Sequence, residues 1–235
     1  MKLASIVPVK NVTHTFDGDY AMLLAHLKDY YPKERRRNCY VIMDNSLIEL
    51  GGAVNIETVY KAAKQCEVDE FILPDVFRDA DATIREVTKS IGWLYHEEHI
   101  HEMRLMAVCQ GSNLGDFIKC FRTLERIPEI HCIGIPKVAA TLIPGGRPAL
   151  EYLWQGSPKA IHLLGCWDSL IEFTRYKNPA FIRSCDTCIP ALLSSRGLNN
   201  AWYNRPEKTI DLINDEISKD NYYRIISQLR EEGLI

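Results

Sequence analysis

A chain of 235 residues, 46% of them apolar, can bury one sizeable core, and its formal net charge of −3 excludes a global attraction to nucleic acid, so contact with a polyanion must come from a local patch. No apolar stretch approaches the roughly 20 residues that span a bilayer, and the first apolar run is short and contains Pro8, so neither a membrane anchor nor a signal peptide is expected. Five of the eight cysteines (Cys39, Cys109, Cys132, Cys166, Cys185) sit in or beside strand-like runs, which points to buried thiols of a reduced, cytoplasmic protein rather than to a disulfide framework.

In chain order, the first apolar run is Leu3–Val9, with Lys10 at its tip. Residues 17–30 set Tyr20, Leu23, Leu24 and Leu27 on one face of a predicted helix. The run Tyr40–Met43 ends at Asp44, and Asn55 then caps a helix running to about Glu67, with Glu57 and Thr58 in its first turn. Phe71–Pro74 ends at Asp75. The following helix opens at Asp79-Ala-Asp81 and extends to about Glu98, with Ile84, Val87, Ile91 and Leu94 facing inward. Leu105–Cys109 ends at Gln110-Gly111, and residues 114–126 again have helical spacing through Leu114, Phe117, Ile118, Phe121 and Leu124. Cys132–Pro136 ends at Lys137, Ala160–Leu164 at Gly165-Cys166, and Ile182–Cys185 at Asp186, with shorter helices predicted over Pro148–Trp154 and Ser169–Tyr176. After Pro190 the pattern changes: residues 191–206 read as a loop rich in Ser, Asn and Arg, and 207–233 as one or two helices.

Buried β-branched runs separated by amphipathic helices, with tips about 30 residues apart, are the signature of parallel strands joined by crossovers. The pattern predicts an α/β fold: a single (β/α) TIM-type barrel over 1–235, with a helical C-terminal segment over 206–235. Seven strands are legible and a clear eighth is not, which leaves an open or seven-stranded barrel as an alternative. The chain has no Gly/Ser linker, low-complexity segment or fixed-length repeat that would divide it.

In such a barrel the active site lies where the strands end. Asp44, Asp75 and Asp186 are therefore expected to converge on one pocket. A carboxylate at the end of a buried strand carries a large desolvation penalty unless a partner or substrate uses it, although an Asp there can also simply cap the next helix. Gln110 offers a donor and an acceptor suited to the edge of a nucleobase, and Gly111 lets a ligand approach the backbone; alternatively, this is an ordinary βα turn in which Ser112 or Asn113 caps the helix. Metal signals are weak. Cys185 and Cys188 have CxxC spacing, but no second cysteine pair or suitable histidine pair accompanies them, and His96, His99 and His101 fall at a helix end on the opposite side of the barrel. No metal is expected. Lys33-Glu-Arg-Arg-Arg37 precedes a strand and so belongs to the face away from the pocket, leaving Lys10, Arg78, Lys137, Arg147, Arg196 and Arg205 as the basic groups available to phosphates.

Taken in order, Ile42-Met-Asp-Asn-Ser46, Phe71-Ile-Leu-Pro-Asp-Val76, Ala107-Val-Cys-Gln-Gly-Ser112, Ile133-Gly-Ile-Pro136, Ile161-His-Leu-Leu-Gly165 and Cys185-Asp-Thr-Cys-Ile-Pro190, with Ser194-Ser-Arg-Gly197 beyond, resemble the strand ends of tRNA-guanine transglycosylases. The zinc-binding cysteine element and the basic C-terminal region of the tRNA enzymes are missing, and the Asp-Ser-Gly-Gly turn is here Asp44-Asn-Ser-Leu. A barrel stripped in this way is similar to the phage-type transglycosylases that exchange guanine in DNA for a 7-deazaguanine. The resemblance implies that Asp186 is the nucleophile, that Asp44 is the general acid/base, and that Asp75 with Gln110 and Gly111 reads the base. It also assigns Ser112, Gly134, Gly165 and Arg196 to substrate binding, with the wall around C7 near Gly134–Lys137 and Leu164–Cys166. It implies no cofactor, because the sugar stays covalently held while the bases exchange. The implied partners are DNA, single-stranded or with its guanine flipped out, and a free 7-deazaguanine; a homodimer is among the assemblies it allows. Competing readings are a tRNA-directed enzyme without zinc, a nucleosidase-like barrel hydrolase, and a non-catalytic nucleic-acid-binding subunit.

Overall fold

A parallel strand covered on both faces needs no polar alternation, and the short apolar runs of this chain satisfy that condition eight times. In the computed structural model, which describes residues 1–32, 39–166, 170–196 and 210–233, the strands form a closed parallel barrel in the order β1 to β8, an α/β TIM-type architecture. The elements in chain order are β1 (Lys2–Ser5), α1 (Val12–Thr15), β2 (Tyr20–Leu24), β3 (Tyr40–Asp44), α2 (Leu47–Leu50), α3 (Ile56–Gln65), β4 (Glu70–Ile72), α4 (Ala80–His96), β5 (Arg104–Val108), α5 (Leu114–Glu125), β6 (Ile130–Ile135), β7 (Ala160–Leu163), β8 (Ile182–Thr187), α6 (Ile189–Arg196) and α7 (Lys219–Glu231).

The eighth strand is β2, and it lies inside the stretch expected to be helical. Tyr20 to Leu24 pairs with β3 from Tyr20↔Tyr40 through Leu24↔Asp44, and only Ala25–Tyr30 turns helical, as a 3₁₀ segment. The error has a physical cause: Met22 and Leu24 face the barrel interior while Ala21 and Leu23 face the outer layer, so a doubly buried strand shows the same unbroken apolar run as a buried helix. Smaller differences follow the same rule. The short helices expected at Pro148–Trp154 and Ser169–Tyr176 form as the 3₁₀ segments Arg147–Leu153 and Leu170–Arg175, whereas α6 occupies the start of the expected 191–206 loop and α2 forms at the turn after Asp44. Lys33–Arg37, Gly197 and Arg205 lie outside the described residues, as does the side chain of Arg196.

Two cores hold the barrel. Ala4, Met22, Ile42, Ile72, Met106, Val108 and Cys132 fill its interior, while the larger outer cluster lies between strands and helices. Asn55, Asp79 and Asn113 cap α3, α4 and α5 through their side-chain oxygens, as their sequence positions anticipate. All eight cysteines are thiols, seven of them buried. Among the described residues no helix is long and apolar enough to cross a membrane.

Helix α5 leans directly on the tip of β5. A Cβ built on Gly111 would meet the backbone N and Cα of Phe117 at 2.5 and 2.8 Å, so glycine is needed there for the helix to approach. Gly111→Ala is therefore expected to cost about 1–3 kcal/mol, seen as a lower denaturant midpoint at unchanged slope.

Candidate active site

The C-terminal ends of the strands open into a cavity of about 450 Å³. Asp44, Asp75, Gln110, Gly165 and Asp186 all line it, so β3, β4, β5, β7 and β8 each deliver a polar group to one space. Leu24, Val108 and Leu164 supply apolar wall, and about half-exposed Ile48 and Phe77 form part of its rim.

Each carboxylate has its own surroundings. Asp44, the last residue of β3, accepts one backbone hydrogen bond, from Ser46 N at 2.8 Å; Ser46 reaches that position in a left-handed turn with φ 61°. Burial first, and the neighbouring charge of Glu49 second, push its carboxyl well above the usual range. Asp75 is 4% exposed and accepts from two side-chain amides, Asn45 Nδ2 on Oδ1 and Gln110 Nε2 on Oδ2, both at 2.7 Å. Burial outweighs these bonds and raises its carboxyl to about 6. Asp186 is 3% exposed. Gly165 N lies 3.1 Å from both of its oxygens, and His162 Nε2 lies 3.1 Å from Oδ1. Gly165 has φ 65°, a conformation that glycine adopts at no steric cost and that aims its N–H at the carboxylate.

Some expected site residues occupy other positions. Gln110 is committed at both ends: Nε2 donates to Asp75, and Oε1 accepts from Arg78 N at 3.0 Å. Gly111 and Ser112 do not line the cavity; Ser112 Oγ donates to Asp116 Oδ2 at 2.7 Å in the first turn of α5. Gly134 lies beneath the cavity wall, where a Cβ would come within 2.7 Å of Leu164 Cδ1. Of the expected C7 wall, Pro136, Lys137, Leu164 and Gly165 line the cavity, and Cys166 is buried behind it.

Arg147 is not a surface phosphate ligand. It is fully buried, because its guanidinium ties together the ends of two strands. It donates to the carbonyls of Ile135 at 2.9 Å and Leu164 at 2.6 Å, and to Glu172 at 2.7 and 2.9 Å. Glu172 also receives Lys137 Nζ at 3.0 Å and Tyr176 OH at 2.8 Å, so Lys137 is paired as well. Burial alone would raise the Glu172 carboxyl, but Arg147 and then Lys137 bring it down to about 2. Lys10 Nζ donates to Asn214 O at 2.9 Å, and the Arg78 guanidinium sits 5.6 Å from the Phe77 ring.

Asn45, Glu49, Phe77, His162 and Glu172 were not singled out by sequence. Asn45 and His162 lay inside runs that carry the resemblance but were given no role; the others are brought in by tertiary contact. Among the described residues, no group of three or more His, Cys, Asp or Glu side chains could hold a metal ion. No family model matches the chain, and no curated protein matches it significantly.

Removing the guanidinium strands a buried carboxylate. Arg147→Met is expected to destabilise the protein by about 3–5 kcal/mol in denaturant unfolding, and adding Glu172→Gln should recover part of that loss. The aspartates also shape the pH dependence of stability. Because Asp75 sits at about 6 in the folded protein, above its ordinary 3.8, its contribution is fully present below about pH 4 and is lost as pH rises through 6. Asp75→Asn should flatten that part of the stability profile, measured by unfolding at a series of pH values.

Proposed function

We propose that this protein is a transglycosylase that exchanges guanine in DNA for a 7-deazaguanine base through a covalent aspartyl-glycosyl intermediate. The observation that carries the reading is the pairing, in one cavity, of Asp44, whose carboxyl burial pushes upward, with an Asp186 carboxyl met by Gly165 N and His162 Nε2. One acid and one nucleophile facing a shared space is the requirement of double displacement at a sugar carbon. A volume of about 450 Å³ is in the range of small-molecule sites and suits a nucleoside-sized group. The motif resemblance to tRNA-guanine transglycosylases rests on the same strand-end residues.

In this scheme Asp186 attacks C1′ as the C1′–N9 bond breaks, and Asp44 gives its proton to N9 of the departing guanine. The incoming base then returns an N9 proton to Asp44 and displaces Asp186. Asp75 reads the base. Each of its oxygens accepts one amide hydrogen bond and retains a second lone pair, which suits the paired N1–H and 2-amino donors common to guanine and 7-deazaguanine. Gln110 acts through Asp75, since its own amide is already engaged. DNA is the substrate proposed because the compact set of strand-end motifs resembles the phage-type transglycosylases that act on DNA. Extruding the target base costs a few kcal/mol of unstacking, and the exposed Phe77 ring offers stacking surface at the rim.

The test is incubation with labelled guanine-containing DNA and 7-cyano-7-deazaguanine, with tRNA in parallel. Guanine release and 7-deazaguanine incorporation confined to DNA are expected. Asp44→Ala and Asp186→Ala should each reduce exchange on the order of 10³-fold or more, and Asp186→Asn should yield no covalent adduct on a denaturing gel. Full activity in Asp186→Ala would sink the nucleophile assignment, and incorporation into tRNA alone would move the substrate.

A further inference from the structure

Behind Asp186, a file of polar side chains runs down the inside of an otherwise apolar barrel. His162 on β7 stands between Ser184 and Asp186 on β8, with Nδ1 2.7 Å from Ser184 Oγ and Nε2 3.1 Å from Asp186 Oδ1. His162 and Ser184 are completely buried. The pairing of β7 with β8 skips one residue between Ile182 and Ser184, and this bulge residue is Arg183. Its guanidinium lies 5.7 and 5.6 Å from the Tyr20 and Tyr40 rings and is 2.8 Å from Glu70, while its Nε donates to Ser184 Oγ at 3.1 Å.

These contacts favour one position for the imidazole proton. A guanidinium only donates, so Ser184 Oγ accepts from Arg183 and can turn its own proton toward His162 Nδ1. Nε2 then carries the ring proton and presents it to Asp186, a carboxylate that only accepts. Burial lowers the basicity of His162 and keeps the ring neutral. The Asp186 end selects that tautomer, and the Ser184 end accommodates it.

We propose that His162, as the Nε2–H tautomer that the Arg183–Ser184 pair accommodates, is a positioning residue for Asp186 that stabilises the carboxylate when the covalent intermediate breaks down. The inference rests on the reading of Asp186 as nucleophile. In the first half-reaction an Asp186 oxygen bonds to C1′, and the C1′–N9 electron pair leaves with guanine, which takes the Asp44 proton. In the second, N9 of the incoming base bonds to C1′ and gives its proton to Asp44, while the C1′–O pair returns to Asp186. The hydrogen bond from His162 is stronger to the returning carboxylate than to the ester, so it favours the second half. Without it, Asp186 is a poorer leaving group, and the covalent adduct persists.

The test has two readings. In protein labelled with ¹⁵N-histidine, long-range ¹H–¹⁵N correlation should show His162 protonated at Nε2 and bare at Nδ1. His162→Leu, which fills the space without a donor, should lower kcat about 10–100-fold, shift KM for the incoming base by less than about 2-fold, and accumulate adduct on denaturing gels. His162→Gln, which can restore a donor, should recover much of kcat. Protonation at Nδ1, or a folded His162→Leu enzyme that turns over without accumulating adduct, would overturn this inference while leaving the transglycosylase reading intact. Wild-type protein that exchanges neither DNA nor tRNA would overturn the transglycosylase reading and the leaving-group role with it, whatever the tautomer.

Discussion

A carboxylate withdrawn from water must collect donors or keep its proton, and the mouth of this barrel is organised around that constraint. Asp44 has one backbone donor, and burial pushes its carboxyl well up. Asp75 has two amide donors and titrates at about 6. Asp186 is met by a glycine N–H and a buried imidazole. Three residues of one chemical type thus meet different surroundings in one cavity, and the proposed division of labour between acid, base reader and nucleophile is argued from those surroundings.

The surrounding structure keeps these environments apart. Arg147, buried and paired with buried Glu172, binds the tips of β6 and β7 together through their carbonyls. Lys137 lines the cavity but is paired with Glu172, so the described part of the mouth presents carboxylates and apolar wall more than free positive charge. That arrangement suits recognition of an extruded base better than tight gripping of the phosphate backbone, in keeping with a chain of net negative charge.

At the other end of the barrel, the Arg183 bulge plugs the interior with a guanidinium stacked among Tyr20 and Tyr40 and paired with Glu70. The bulge brings Arg183 Nε to Ser184 Oγ, linking the plug through His162 to the carboxylate at the mouth. A polar file inside an apolar barrel is costly unless its members are satisfied; the contacts from Asp186 to Arg183 Nε meet most of that demand, while Arg183 Nη2 and Glu70 Oε1 are buried with no partner among the described residues.

Local pattern alone determined the α/β class, seven of the eight strands, the capped helices α3, α4 and α5, and the arrival of Asp44, Asp75 and Asp186 at strand ends, because burial period and capping chemistry are properties of short segments. Strand β2 was illegible for the converse reason: Tyr20-Ala-Met-Leu-Leu24 is buried on both faces and has no polar tip, so only its pairing with β1 and β3 distinguishes it from helix. The roles of Gly111, Arg147 and His162 were equally closed to the sequence. Each depends on a partner far along the chain or across the barrel: a helix pressing on a loop, the carbonyls of two strand ends, and a hydroxyl that accepts from a bulged arginine. Sequence specifies which groups a chain owns, but the partner that satisfies each buried group is chosen only when the barrel closes.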